Sequence, residues 1–173
     1  NKLKQNFTAD EINRKWCTDF TYLFLANHEV RYNCTIIDLH DRSVIANITD
    51  RNITSDLSIR TLRKALESQP TIKEGLILHS DQGSQYTSKA FTEFCESVNV
   101  TQSMSKAGCP YDNSPMESFY GTSKSEFIRQ NRFETDQELN ESTLDYVYGY
   151  YNHIRPHSSN GYMTPFEKRY SNQ

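Results

Sequence analysis

His79-Ser80-Asp81-Gln82-Gly83-Ser84-Gln85-Tyr86-Thr87-Ser88 follows a short apolar run, Leu76-Ile77-Leu78. The run reads as a buried strand from Gly75 to His79, and Asp81-Gln82-Gly83 as the turn that ends it. With 35 residues between it and Asp81 comes Glu117, inside Cys109-Pro110-Tyr111-Asp112-Asn113-Ser114-Pro115-Met116-Glu117-Ser118-Phe119-Tyr120-Gly121. Pro115 suits the first turn of a helix. Upstream, Asp19 stands in Trp16-Cys17-Thr18-Asp19-Phe20-Thr21-Tyr22. Aspartate is disfavoured in mid-strand, and the bulky neighbours predict burial, so Asp19 needs a partner; a metal ion is one. Three acids, on a strand, after a strand and near a helix start, can meet at one metal site.

Each acid has a plainer reading. Asp19 can be a satisfied polar residue on an exposed strand face. Asp81 can be a turn or cap aspartate. Ser114-Pro115-Met116-Glu117 is itself a capping-box pattern, in which Glu117 folds back onto Ser114 and binds no metal. Asp112 is an alternative acid or a loop stiffener. Asp38 and Asp41, beside a hairpin turn, read as structural.

The rest of the chain frames these segments. Residues 15–26 alternate and are rich in Phe, Tyr and Thr, which predicts a strand with Asp19, Thr21, Leu23 and Leu25 on one face. Strands follow from Val30 to Leu39 and from Ser43 to Thr49, completing a meander. Thr54-Ser55-Asp56 opens a helix over 56–68 that ends at Pro70. Ser88 caps a helix with Phe91, Phe94, Cys95 and Val98 on one face, and Val100 to Met104 is a fifth strand. Met116, Phe119, Tyr120, Ser123 and Phe127 form the inner stripe of the helix that starts near Ser114. Thr135-Asp136-Gln137-Glu138 opens a last long helix with Leu139, Thr143, Tyr146, Val147, Tyr150 and Ile154 buried. Pro156 stops it, and a short helix follows Thr164-Pro165. This order predicts a three-layer α/β domain with right-handed crossovers to the fourth and fifth strands.

The chain has 173 residues, enough for one domain with a real core. Residues 1–14 lack periodicity and read as a linker from an N-terminal DNA-binding part, leaving 15–173 as the core. No apolar run approaches the length of a membrane span. The spacing of Cys17, Cys34, Cys95 and Cys109 suits neither a zinc ribbon nor a disulfide framework, so a reducing cytoplasm is expected. The net charge of −3 argues against a strong stand-alone DNA binder, because phosphate affinity comes mostly from Lys and Arg.

From about Trp16 to Tyr170 the sequence resembles the catalytic core of DDE transposases, kin to retroviral integrases, and most closely the insertion-sequence-three group. The resemblance implies a ribonuclease H-like fold, a five-stranded mixed sheet with helices on both faces. It implies that Asp19, Asp81 and Glu117 are catalytic and hold two Mg²⁺ (or Mn²⁺) ions for DNA cleavage and strand transfer. Lys124, two turns after Glu117, is implied as a DNA phosphate contact. His79, Asn113, Arg155 and His157 are expected as supporting residues; the last two lie in Tyr150-Tyr151-Asn152-His153-Ile154-Arg155-Pro156-His157, which is similar to the family's segment after its last long helix. Implied partners are transposon ends, target DNA and further copies of the chain, in a bacterial cytoplasm at the nucleoid. The rival readings are a retired core that only binds, and a ribonuclease H-like nuclease that cuts without joining. Gln82, Ser123 and Asn160 depart from the usual pattern, and none removes an acid.

Overall fold

The computed structural model describes residues 1–72 and 74–171; the expected domain boundary at residue 173 lies outside them. Five strands form one mixed sheet: β1 (Lys15–Phe24), β2 (Val30–Asp38), β3 (Val44–Asp50), β4 (Ile77–Ser80) and β5 (Thr101–Met104), in the order β3-β2-β1-β4-β5. The first three pair antiparallel, with Asp19 opposite Thr35. Strands β4 and β5 add on in parallel, with Cys17 beside His79 and His79 beside Ser103.

Alternation along β1 builds two cores. Trp16 points to one side, where α1 (Ser55–Ser68) and α3 (Lys89–Ser97) supply Leu62, Ala65, Phe91 and Cys95. Cys17 and Leu23 point to the other, where α4 (Ser114–Glu126) and α5 (Asp136–Leu144) supply Met116, Phe119, Tyr120 and Leu139. Trp16, Tyr86 and Phe91 are essentially sealed from solvent, and each such side chain stabilises the fold by about 1.5–3 kcal/mol. Thr54 and Ser88 cap α1 and α3 as the sequence predicts, accepting from the amides of Leu57 and Phe91. One short helix, α2 (Ser84–Thr87), was hidden in the expected turn after Asp81. It buries Tyr86, whose hydroxyl meets the Thr18 hydroxyl at 3.0 Å on the far side of β1 from the α4 core.

The last long helix differs from its sequence pattern. After Leu144 it continues as a π-helix, Asp145–Tyr151. Leu139, Thr143, Tyr146 and Val147 are buried as expected, but Tyr150 and Ile154 are 42% and 65% exposed, and Tyr151 is buried instead. The wider π winding takes an extra residue per turn, so the inner face slips by one position. This places Asn152 against the edge strand β3: the Val44 amide donates to Asn152 Oδ1 at 2.8 Å, and Asn152 Nδ2 donates to the Val44 carbonyl at 3.0 Å. A side chain thus covers backbone groups that an edge strand would otherwise offer to another chain. The short α6 (Pro165–Tyr170) closes the chain with a full capping box at Thr164 and Glu167.

Residues 1–14 pack against the core. Leu3 and Asn13 are buried, and the amides of Lys2 and Leu3 donate to Ser103 Oγ. Among the described residues no helix is long and apolar enough to cross a membrane. Cys17, Cys34 and Cys95 are buried free thiols, and Cys109 is an exposed one.

Candidate active site

Strand β4 ends at Ser80, so β1 runs on past Cys17 without a parallel neighbour. That gap is where the acids meet. Asp19 lies on β1 just beyond it, Asp81 follows β4 directly, and Glu117 lies in the first turn of α4. All three line one open cleft of about 570 Å³, shared with the loop Ser105–Cys109 and with Asn113.

Asp19 is half-buried. Its Oδ1 accepts from the Phe20 amide at 2.8 Å, and its backbone carbonyl accepts from the Tyr120 hydroxyl at 2.7 Å. Its pKa is pushed up to about 7, chiefly by burial and further by the charges of Asp81 and Glu117, against the Phe20 amide and Lys124. Lys124, on the same helix as Glu117, does not line this cleft; it lines a neighbouring groove with Thr21 and Leu23 of β1. Asp81 Oδ1 accepts from the Gly83 amide at 2.9 Å, so it makes the turn and also faces the cleft; its two readings are compatible. Glu117 is exposed, and the capping-box alternative is not realised. Ser114 is already helical, the N-cap is Asn113, and no side chain caps the helix. The helix start is set instead by the 3₁₀ turn Pro110–Asn113 that runs into it, which takes the cap position from Ser114.

The supporting residues divide. Asn113 is buried at the cleft; its Nδ2 donates to the Thr18 carbonyl at 3.3 Å and its Oδ1 has no protein partner. His79 is sealed behind the cleft, bonded to Ser103 Oγ at 2.9 Å, the Asp112 carbonyl at 2.7 Å and Ser105 Oγ at 3.2 Å. It thereby fixes both ends of the loop that walls the cleft. Burial holds its pKa below the usual histidine value, which suits a neutral tether. Asp112 stiffens the same loop: its carboxylate accepts from the Lys106 amide, Gln5 and Asn1, and these bonds hold its pKa down to about 2.

Arg155 and His157 do not line the cleft. Arg155 clamps Glu126 at the end of α4 through Nε and Nη2 at 2.8–3.0 Å. His157 meets the Tyr151 hydroxyl at 3.0 Å. Both lie just after the last long helix, held by Glu126 of α4 and by Tyr151 of the π stretch. Asn160, an unusual residue for its place, is buried and donates to the Asp41 carbonyl at 2.7 Å. Sequence reasoning missed the Tyr120 hydroxyl at Asp19 and the Lys106–Cys109 wall. The apolar stripe marked Tyr120 as core and gave no sign of its hydroxyl's target.

Among the described residues no three His, Cys, Asp or Glu side chains stand close enough to grip one ion. The three carboxylates line the cleft from separate elements. The donor set nevertheless fits a hard divalent cation: three carboxylates and the unpartnered Asn113 carbonyl oxygen, all oxygen donors, around an open space.

Known proteins share both the sequence and the fold. Integrase core domain families match residues 9–110, more than half of the chain, and residues 98–165. The transposase for insertion sequence element IS904 of Lactococcus lactis is 37% identical over 174 residues, 97% of this chain and 66% of that protein. Transposase InsF for insertion sequence IS3A of Escherichia coli is 33% identical over 165 residues, 95% of this chain and 57% of that protein. The chain thus spans about three fifths to two thirds of the length of these relatives. A chain of the simian T-cell lymphotropic virus intasome superposes with a TM-score of 0.75 at 18% identity, over 94% of this chain and 56% of that one. The HTLV-2 integrase catalytic core domain, solved in complex with magnesium, superposes at 0.68 and 16% identity, over 94% and 99%. These likenesses establish the ribonuclease H-like fold. The chain belongs to the integrase core domain family, among the DDE transposase cores.

Proposed function

We infer that this domain cuts and joins DNA strands with Asp19, Asp81 and Glu117 as its catalytic carboxylates. One observation carries the reading: acids from three distant segments converge on a single open cleft, close enough that two of them raise the pKa of the third. Carboxylates that repel one another around a shared cleft are costly to hold without a counter-charge, and a pair of Mg²⁺ or Mn²⁺ ions is the counter-charge that phosphodiester chemistry also uses. When bound, such ions supply Lewis-acid stabilisation to the attacking oxygen, the leaving oxygen and the phosphate.

The chain's own groups orient this centre. Asp19 and Asp81 would hold one ion and Glu117 would complete a second site, with the Asn113 carbonyl oxygen as a further donor. Tyr120 and Asn113 fix the β1 backbone on either side of Asp19. His79 and Asp112 fix the loop that bounds the cleft opposite Glu117. Lys124 offers its charge to a DNA phosphate next to the reacting strand. Transposon ends and target DNA are the substrates, and further copies of the chain acting on paired ends are its partners, in a bacterial cytoplasm at the nucleoid.

The test is strand joining by the full protein on DNA carrying its element's ends, with Mn²⁺ and Mg²⁺, for wild type and Glu117→Gln. Joined products from wild type and none from the variant support the reading. Cutting without joining favours a plain nuclease, and tight DNA binding without either product favours a retired core.

A further inference from the structure

A second polar cavity, of about 320 Å³, lies on another side of α4 from the carboxylate cleft. Its polar lining includes Arg42 from the β2–β3 turn, Ser114 and Ser118 from α4, and His157, Ser158 and Ser159 from the segment after the last long helix, with Tyr151 behind His157. Among the described residues no carboxylate lines it. The carboxylates closest in sequence to Arg42 are engaged elsewhere: Asp41 Oδ2 accepts from Arg169 at 2.6 Å and Asp38 Oδ2 at 3.3 Å.

Arg42 is the telling group. Its Nη2 donates to the Phe7 carbonyl at 3.0 Å, while its Nη1 is buried and has no partner in the protein. Among the described residues Arg42 forms no ion pair. A guanidinium with an unmet buried donor is costly, and the turn already holds this residue at a φ of 66°. Burial also holds its pKa below the usual arginine value. Around it stand groups that donate hydrogen bonds to oxyanions. His157 Nδ1 lies 3.2 Å from Ser159 Oγ; with that nitrogen protonated, the Ser159 hydroxyl keeps its own proton for a ligand. Ser118 is exposed at the rim.

We propose that this cavity binds a phosphate group, held by the Arg42 guanidinium and by the surrounding serine hydroxyls. The chemistry is that of an oxyanion met by a forked cation and neutral donors. It assigns a role to His157 and to Ser158 and Ser159, which the carboxylate cleft leaves unused. The phosphate belongs either to a DNA backbone that passes over α4 or to a free phosphate or nucleotide. The proposal stands apart from the strand-joining reading, since inorganic phosphate reports on it without any reaction.

The experiment is a titration of the full chain with inorganic phosphate at constant ionic strength, followed by amide chemical shifts. Saturable shifts at Arg42, Ser118 and Ser159 are expected in wild type. Arg42→Gln and Ser118→Asp should each weaken the affinity roughly tenfold or more. Asp19→Asn, altered only in the carboxylate cleft, should respond like wild type, so the two sites fail separately. If Arg42→Gln does not fold, Ser118→Asp decides, because it adds a charge at an exposed helix position. Absence of saturable shifts, shifts confined to other residues, or an unchanged response in Ser118→Asp overturns the proposal. A short DNA duplex that displaces phosphate from the same amides identifies the DNA backbone as the source; phosphate binding undisturbed by the duplex identifies a free phosphate or nucleotide.

Discussion

The Tyr120 hydroxyl donates to the backbone carbonyl of Asp19 at 2.7 Å. One turn of α4 after Glu117 is therefore pinned to the strand residue that carries the first acid. The same hydroxyl reaches the Asn33 carbonyl at 3.3 Å. Burial pushes its pKa well above the usual tyrosine value, so it stays a donor. Tyr120→Phe should cost about 1–2 kcal/mol in denaturant unfolding, since it strands a buried carbonyl. Strand joining should fall roughly tenfold or more because the two acids lose their common anchor. A joining rate equal to wild type would show that the bond holds the fold and not the site.

Asp19 makes stability depend on pH in an unusual direction. The folded protein raises its pKa to about 7, from an ordinary value near 3.9, so the fold disfavours the charged form. The charge therefore costs nothing below about pH 4, costs progressively more as pH rises to 7, and costs its full amount above. Asp19→Asn removes that charge and keeps an oxygen for the Phe20 amide. Without divalent metal, the variant should be more stable than wild type by roughly 1–2 kcal/mol at pH 8, after allowance for solvent screening in an open cleft. The gap should close toward pH 4. Adding Mn²⁺ should raise the melting temperature of wild type and leave the variant nearly unmoved. A variant less stable than wild type at pH 8 would mean that the carboxylate is already neutralised by the protein.

The sheet and both cores were legible because they rest on period-two and period-3.6 patterns that local residues dictate. Asp19 stood out for the same reason, as a charge in a run that alternation buries. What stayed hidden depends on tertiary partners. The slip from Tyr150 to Tyr151 comes from a π stretch that periodicity at 3.6 cannot express, and its reward is the Asn152 contact to Val44, far away in sequence. The packing of residues 1–14 rests on single contacts such as Leu3 and the bonds of Asn1 and Gln5 to Asp112, which have no period at all. Arg155 matched a family segment, but only the structure shows its partner to be Glu126.

Arg169 ties three distant segments together. Its side chain is 3% exposed and donates to Asp41, Asp38, Ser43 Oγ, Asn13 Oδ1 and Gln69 Oε1. Removing it leaves two buried carboxylates without a cation. Arg169→Met should destabilise by about 3–5 kcal/mol. Adding Asp38→Asn and Asp41→Asn to the same protein should recover much of that loss, because the uncompensated charges go with it. Denaturant midpoints of the single and triple variants decide; equal midpoints would show that lost packing, not stranded charge, sets the cost.

Two helix starts with the same sequence pattern should respond differently to the same change. At α6 the Glu167 amide donates to Thr164 Oγ1 at 3.1 Å and the Thr164 amide donates to Glu167 Oε2 at 2.8 Å, a closed box. At α4 the matching pair, Ser114 and Glu117, makes no such bonds, and Glu117 turns to the cleft. Thr164→Ala should therefore cost about 1 kcal/mol of stability, whereas Ser114→Ala should stay within roughly 0.5 kcal/mol of wild type. Thermal melts of the two variants in parallel make the comparison. A Ser114→Ala cost as large as that of Thr164→Ala would mean that the box forms in solution, and Glu117 would then be drawn back onto its own helix, out of reach of any ion held by Asp19 and Asp81.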